Sequence, residues 1–382
     1  MWNRVLTGDD AETALSMVDE LLRTAEVRRY AQTDDEVEFR LSDGDVSLAL
    51  LAAWARAGKR ETRLSPAALI RNARRLHGIR AGHLGLFDGT AGVLWASGLL
   101  GIPVGKSMIA DPVLLRAVGS SDDFSLPDLL TGDLGIAAAM LTRYEDETGR
   151  AIVSRVLRRL EKTMIRQGDT GYWSTPWSLK LGGIQDTGVA HGTSGVVLLL
   201  SYALEVGIEC ELALGMLKCA VAWLIQVRRG TGTPSFPFYA DEESWWGRYS
   251  WCRGDAGIAL ALLRAGNAAH HEDWTELACS IVRASTRVPE EDLHVSSTSI
   301  CHGSTGNALI SHRFWQATGD PEFEASARYW YLHAANGSID GTTPFLDGST
   351  GVMLALLAGC TDVEPAWDSA FLISNPAFAV SK

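Results

Sequence analysis

The sequence has few cysteines and a deficit of cationic residues, and it contains no long hydrophobic run. Six cysteines among 382 residues are too sparse for a disulfide framework, so free or metal-bound thiols are expected. Lys and Arg number 34 against 46 Asp and Glu, and the resulting net charge of −12 argues against a general nucleic-acid surface. Apolar runs such as 195–204 are far shorter than the roughly 20 residues that span a bilayer.

The N-terminus also lacks the basic start and the uninterrupted apolar stretch of a signal peptide. Its acidic and apolar residues instead predict an amphipathic helix. We therefore expect a cytoplasmic protein with no transmembrane segment. Apolar residues make up 46% of the chain, which is enough for a sizeable core.

A glycine-centred motif recurs seven times, and each copy leads into small and aliphatic residues typical of a helix. The first glycines of the copies are Gly44, Gly89, Gly132, Gly192, Gly254, Gly303 and Gly348. The intervals between them are 45, 43, 60, 62, 49 and 45 residues. Such a period fits a pair of antiparallel helices that buries its apolar face only against neighbouring pairs. A second glycine follows three residues later in six copies and allows close backbone approach, whereas the first copy has Ser47 there.

This repeat predicts an all-α fold of seven helix pairs in a single domain that covers residues 1–382. An open solenoid and a closed ring both satisfy the period, and we favour a closed α/α toroid with inner and outer helix rings. The motifs begin the inner helices, and Arg-rich segments such as 67–76 and 151–162 are expected in the outer ring. In either arrangement, equivalent positions of successive repeats lie at the same end of the structure.

Two cysteines occupy equivalent positions in adjacent repeats. Cys252 and Cys301 each lie two residues before a first glycine, and His302 follows Cys301 directly. Two thiolates and an imidazole form a known catalytic zinc set that leaves a fourth position for water or substrate. The competing interpretation is that both cysteines are small buried residues. His191, in the preceding repeat, is either a fourth ligand or a residue beside the metal.

Other residues near the motifs are assigned structural roles. Asp43, Asp88 and Asp347 directly precede first glycines, and we expect them to be helix N-caps. The remaining cysteines lie in helical stretches away from the motifs, where we expect core packing; they are Cys210, Cys219, Cys279 and Cys360.

Three motifs resemble those of the lanthipeptide cyclase family, the LanC proteins, in the same order along the chain. They are GVAHGTSG at 188–195, WCRGDAG at 251–257 and CHGSTGN at 301–307. The resemblance implies an α/α toroid that closes thioether rings in a dehydrated precursor peptide. It also implies one zinc ion held by Cys252, Cys301 and His302. Catalytic importance is implied for His191, for Asp128 in DLLTG and for Arg248.

The chemistry of thioether formation gives these residues roles. A free thiol with a pKa of about 8.5 needs activation near neutral pH, and zinc would deprotonate it. His191 is the candidate base for the thiol or acid toward the enolate that follows attack. Asp128 could orient the imidazole, and Arg248 could stabilise the enolate oxygen or hold Asp128. The structural alternatives are a helix N-cap for Asp128 and a surface or stacking residue for Arg248.

The chain departs from the family pattern at Arg253, where family members often carry an aromatic residue or histidine, so substrate contacts beside the metal are open. Long loops that begin at Gly168 and Gly230 either line a peptide groove or cap the toroid. Alternative functions are a transferase that alkylates glutathione or another thiol, and a peptide-binding module without turnover. As a cyclase, the chain would act after a separate dehydratase, and a transporter is a further candidate partner.

Overall fold

The computed structural model describes residues 1–33, 36–79, 83–103, 110–118, 127–175, 184–241, 247–339 and 344–379. Seven described helices begin at the residue after a first glycine. They are α2 (Asp45–Ala57), α4 (Thr90–Leu99), α6 (Asp133–Leu141), α8 (Thr193–Glu205), α10 (Asp255–Ala269), α12 (Ser304–Thr318) and α14 (Ser349–Cys360). The other described α-helices are α1 (Gly8–Ala31), α3 (Pro66–Ile79), α5 (Ala110–Ala117), α7 (Glu147–Thr163), α9 (Cys210–Val227), α11 (Glu272–Ser285) and α13 (Pro321–Asn336). Short 3-10 helices lie at Glu290–Leu293, Ala366–Phe371 and Pro376–Phe378. A hairpin of β1 (Ile165–Gln167) and β2 (Thr170–Tyr172) follows α7.

The seven motif helices form a closed inner ring. Each inner helix contacts the next one along the chain, and α14 packs against α2 to complete the circle. Their residues are almost entirely buried, as in α6 and α14. The predicted all-α toroid is therefore confirmed, and the open solenoid is excluded.

The outer ring is built mainly from the helix that follows each inner helix. Helix α3 packs on α2, α7 on α6, α9 on α8, α11 on α10 and α13 on α12. The seventh inner helix, α14, is covered by α1, which comes from the other end of the chain. The predicted outer helices at 67–76 and 151–162 correspond to α3 and α7, and the predicted N-terminal helix corresponds to α1.

Glycine, rather than aspartate, is the residue at each inner-helix N-cap. Gly44, Gly89 and Gly348 take that position with extended backbone and make no side-chain cap. The expectation that the preceding aspartates are N-caps is wrong, because each lies one residue too early. Asp43 instead pairs with Arg40, and Asp88 lies beside His83.

The second glycine of each motif allows the close approach that the sequence predicts. A side chain at Gly92 would collide with the carbonyl oxygen of Leu86, and the other five second glycines face a carbonyl six residues earlier in the same way. The chain therefore doubles back tightly between each motif loop and its inner helix.

A ring of backbone hydrogen bonds joins the seven motif loops at one end of the toroid. In each bond an amide of one repeat donates to a carbonyl of the next, over 2.6–3.2 Å. The bonds run from Ser42 to Phe87, Phe87 to Leu130, Leu129 to Ala190, Ala190 to Cys252, Cys252 to Cys301, Cys301 to Leu346 and Phe345 to Ser42. The circuit closes on itself, so the positions two residues before the first glycines lie at one level.

The C-terminal segment fills the centre of this ring. The ring of Phe371 packs against Phe87, Trp251 and Phe345, which come from three different repeats, at centroid distances of 4.8–5.5 Å. The indole of Trp251 also donates a hydrogen bond to the Phe371 carbonyl at 2.9 Å. The centre of the motif end is therefore filled by packed aromatic side chains and does not form an open channel.

All six cysteines are free thiols. The expectation that the four outside the motifs are core residues holds for Cys279 and Cys360, which are buried, and in part for Cys219, but it is wrong for Cys210. Cys210 is the first residue of the outer helix α9 and is exposed, whereas Cys219 on the same helix is half-buried and packs against the core.

Helix α9 is long and apolar enough, by length and composition alone, to cross a membrane, with a mean hydropathy of 1.6. It packs against α8 and β2 within the outer ring, and 39% of the window is buried. Buried helices of many proteins pass the same test, so α9 is only weak evidence for a membrane span.

Alanine substitutions at two glycines of α4 should have opposite effects on the stability of the fold. Gly92→Ala should destabilise the fold by about 1–3 kcal/mol, because the added methyl group meets the Leu86 backbone. Gly98→Ala is the matched control, since nothing lies within 4 Å of its added Cβ, and it should be neutral or stabilising by up to about 1 kcal/mol. Thermal unfolding of both variants checks the difference, and equal melting temperatures would contradict the close approach.

Candidate metal centre

Cys252, Cys301 and His302 converge at the motif end. The amide of Cys252 donates to the carbonyl of Cys301 at 3.0 Å, as one bond of the backbone ring, so the two cysteines lie side by side. One ligand atom from each of the three residues lies within 4.8 Å of the others. Cys252 is only 5% exposed, whereas Cys301 and His302 are half-buried. The three residues predicted as ligands are therefore brought together.

The two thiols of this cluster interact strongly. A hydrogen bond from the Cys301 thiol, assisted by His302 and Arg248, lowers the pKa of Cys252 well below the usual thiol value despite burial. The same hydrogen bond and burial raise the pKa of Cys301. The pKa values of the two thiols therefore shift in opposite directions, because the sulfur of Cys301 donates to that of Cys252.

This donor set fits a divalent metal ion. Two thiols and an imidazole are the soft and borderline ligands that zinc and similar ions take. A divalent cation bound by both sulfur atoms would offset the repulsion between two adjacent thiolates. The cluster supplies three ligands and leaves His191 outside it.

Asp347, which the sequence predicts to be a helix N-cap, lies next to the cluster. Its carboxylate lies 3.7 Å from Nδ1 of His302. Burial and the charge of Cys252 raise the pKa of Asp347, against the effect of His302. The signal was available in the repeat, because Asp347 occupies in the seventh repeat the position that His302 occupies in the sixth.

His191 and Asp128 form a hydrogen-bonded pair beside the cluster. Nδ1 of His191 lies 2.6 Å from one carboxylate oxygen of Asp128. The other oxygen accepts hydrogen bonds from the amides of Leu130 and Thr131 at 2.8 and 2.9 Å. Burial tends to raise the pKa of Asp128, but His191 and these two amides outweigh it and lower the pKa. The carboxylate is therefore charged and fixed, as required to orient an imidazole.

The backbone ring sets the distance between this pair and the cysteines. The amides of Val189 and Ala190, directly before His191, both donate to the carbonyl of Cys252, at 2.8 and 3.2 Å. The amide of Leu129, next to Asp128, donates to Ala190 at 2.9 Å. Three consecutive repeats thus place Asp128, His191 and Cys252 in sequence along the rim.

Arg248 contacts the cluster rather than Asp128. Its Nη2 donates to the Cys252 sulfur at 3.1 Å, and its guanidinium stacks on Phe238 at 4.9 Å. No contact between Arg248 and Asp128 is present among the described residues, so nothing there supports the alternative that Arg248 holds Asp128. Gly254 closes the same turn with a φ of +146°, a conformation that favours glycine, and a side chain there would collide with the Arg248 carbonyl.

Arg253 is held in a slot between two repeats. Its Nε donates to Asp186 at 2.8 Å, and its guanidinium stacks on Tyr239 at 5.3 Å. A side chain at Gly188 would collide with the Cγ of Arg253, so the glycine makes room for it. Neither Asp186 nor Tyr239 was identified from the sequence, although Asp186 lies six residues before Gly192, as Arg248 lies six residues before Gly254.

Part of the predicted groove walls lies outside the described residues. The loop from Gly168 is described to 175 and again from 184, and the loop from Gly230 to 241 and again from 247. The described part of the second loop is fixed to the His191 repeat by backbone hydrogen bonds. The amide of Ala240 donates to Gln185 at 2.9 Å, and that of Thr187 donates to Phe238 at 3.1 Å.

Known proteins resemble this chain in sequence and in fold. The family model described as "Lanthionine synthetase C-like protein" matches residues 35–372. Nisin biosynthesis protein NisC from Lactococcus lactis subsp. lactis is 26% identical over 191 residues, which are 46% of this chain and 44% of that protein. The match therefore spans less than half the length of that curated relative.

Among solved structures, a protein described as nisin cyclase shares the fold. It superposes with a TM-score of 0.75 at 18% identity and covers 96% of this chain and 99% of its own. This likeness supports the toroid independently of the repeat.

The cluster predicts a metal site that depends on both cysteines. The purified chain should bind one Co²⁺, with thiolate-to-cobalt absorption in the near ultraviolet. Cys301→Ser should weaken binding by more than about 100-fold, since losing even an outer partner of a metal ligand costs about 10–100-fold.

Cys279→Ser is the control for that measurement, because Cys279 is a buried cysteine on an outer helix. It should bind Co²⁺ as the unmodified chain does. Equal affinity and absorption in the Cys301→Ser protein would contradict the assignment of the ligands.

Proposed function

The chain belongs to the lanthionine synthetase C-like family, and we propose that it is a zinc-dependent lanthipeptide cyclase. It would form lanthionine and methyllanthionine rings by adding peptide cysteine thiols to dehydroalanine and dehydrobutyrine in a modified precursor peptide. The observation that carries this proposal is the convergence of Cys252, Cys301 and His302 beside the His191–Asp128 pair.

The proposed ligands suit thiol activation. Cys252, Cys301 and His302 would hold one zinc ion, which lowers the pKa of a peptide thiol when bound and keeps its sulfur nucleophilic. With three protein ligands the set leaves room for one substrate sulfur. The Nη2 of Arg248 donates to Cys252, which supports a role in keeping that sulfur oriented and partly neutralised.

His191 is the proposed acid and base. Asp128 accepts from its Nδ1, so Nε2 is the nitrogen left to exchange a proton with substrate. It would take the proton of the incoming thiol and return a proton to the α-carbon after the carbon–sulfur bond forms. Asp128 acts through His191, because it fixes the tautomer and stabilises the imidazolium while its own proton occupancy stays unchanged.

The reaction implies partners. The chain would act on a precursor peptide already dehydrated at serine or threonine, and we propose that a separate dehydratase supplies it, with a transporter exporting the product. The proposed location of this sequence of steps is the cytoplasm.

The test is ring formation on a dehydrated precursor peptide that carries free cysteines. Zinc-loaded protein should consume the thiols while the peptide mass stays unchanged, because addition to a double bond releases nothing. His191→Ala should lower kcat by about 10²–10⁴-fold. It should retain the zinc stoichiometry, since His191 lies outside the ligand cluster.

His271→Ala serves as the control because His271 is exposed on the outer ring, at the start of α11. It should keep full activity. Stoichiometric zinc binding without any thiol consumption would refute the cyclase proposal.

A further inference from the structure

Arg253 has the features of a prepared anion-binding residue. Its side chain is fixed by a carboxylate, an aromatic face and a glycine, namely Asp186, Tyr239 and Gly188. Asp186 is 0% exposed and takes only the Nε of Arg253; its other oxygen accepts from the amide of Gly188 at 2.8 Å. The side chain of Arg253 remains 23% exposed, and its two terminal nitrogens have no hydrogen-bond partner in the part of the chain that the structure describes.

The position of Arg253 on the rim places the residue next to the other site residues. His191, Arg253 and His302 each directly precede a first glycine, in three consecutive repeats. The closed backbone ring holds those repeats at one level, so Arg253 lies between the proposed acid–base residue and a proposed metal ligand.

Arg248, the other arginine at the site, is already engaged. Its Nη2 donates to the sulfur of Cys252, and its Nε donates to the carbonyl of Arg253 at 3.3 Å. A guanidinium committed to a cysteine ligand and to the local backbone is poorly placed to bind substrate as well. Arg248 thus has one terminal nitrogen committed to a cysteine sulfur, whereas both terminal nitrogens of Arg253 lack a hydrogen-bond partner among the described residues.

We propose that Arg253 binds the carbonyl oxygen of the dehydrated residue and stabilises it as it becomes an enolate oxygen. This inference rests on the proposed cyclase function and transfers to Arg253 the oxyanion role that the sequence suggested for Arg248. In the step concerned, the thiolate sulfur bonds to the β-carbon and the Cα=Cβ electron pair moves toward the carbonyl oxygen. Protonation of the α-carbon then returns the electrons, and nothing is released.

The contacts that fix Arg253 explain how its guanidinium can stabilise an oxyanion. An oxyanion site is effective when its donors are fixed before charge develops, because no reorganisation is then needed. Asp186 and Tyr239 fix the plane of the guanidinium, and its fork of donors stays available on the opposite side.

Two electrophiles with the same thiol peptide test the proposal. Addition to N-acetyl-dehydroalanine amide forms an enolate oxygen, whereas alkylation by iodoacetamide displaces iodide and forms none. Arg253→Gln should lower kcat for the dehydroalanine reaction by about 10²–10³-fold, as for other lost oxyanion donors. The iodoacetamide rate and the zinc stoichiometry should change less than about twofold, and Arg253→Lys should retain part of the activity.

Asp186→Asn/Arg253→Gln is the second variant, because it avoids leaving a buried carboxylate unpaired. It should show the same loss that is specific to dehydroalanine. Arg283→Gln is the matched control: Arg283 also stacks on an aromatic ring, Phe323 at 5.2 Å, and pairs with Asp320, but it lies on outer helix α11.

Different outcomes of this experiment test the role of Arg253 and the cyclase function separately. Equal losses with both electrophiles would mean that Arg253 only supports the thiol site, and unchanged rates with both would mean that it does not take part. Either result overturns the proposal while the cyclase function stands. If the unmodified chain accelerates neither reaction, both the cyclase function and the role of Arg253 are wrong.

Discussion

The closed circuit of backbone hydrogen bonds at the motif end is the constraint on which the rest of the site depends. Each bond joins one repeat to the next, and the circuit ends where it began, at Ser42. A closed ring fixes the height of every motif loop relative to its neighbours. Cys252 and Cys301 are two successive members of this circuit, so their convergence follows from the backbone before any side chain contributes.

The same constraint orders the residues that directly precede the first glycines. Three consecutive repeats place His191, Arg253 and His302 along one arc of the rim. Glycine keeps the loops tight enough for this arrangement, because any side chain at Gly257 would meet the Trp251 carbonyl. Phe371 packs against Trp251, the residue directly before Cys252, so the aromatic packing at the centre of the ring adjoins the cluster. Fold and site therefore share one set of contacts.

Much of this could be predicted because the repeat is visible in the sequence. Glycine spacing identified all seven inner helices, and the equivalence of Cys252 with Cys301 indicated the cluster. The closed ring could not be derived from the period, since closure depends on the contact of α14 with α2 and on α1 supplying the missing outer helix. Predictions for single residues outside the repeated positions were weaker. The contact of Arg248 with Cys252, the slot around Arg253 and the exposure of Cys210 depend on loop paths and on helix orientation.

We propose that Cys252, Cys301 and His302 hold zinc with one position left for a peptide thiol. Zinc K-edge X-ray absorption of the loaded protein, without and with a cysteine-containing peptide, tests it most directly. We expect two sulfur ligands at about 2.3 Å in the free protein and three in the complex. A sulfur count that stays at two while the peptide is bound and its thiols are consumed would contradict it.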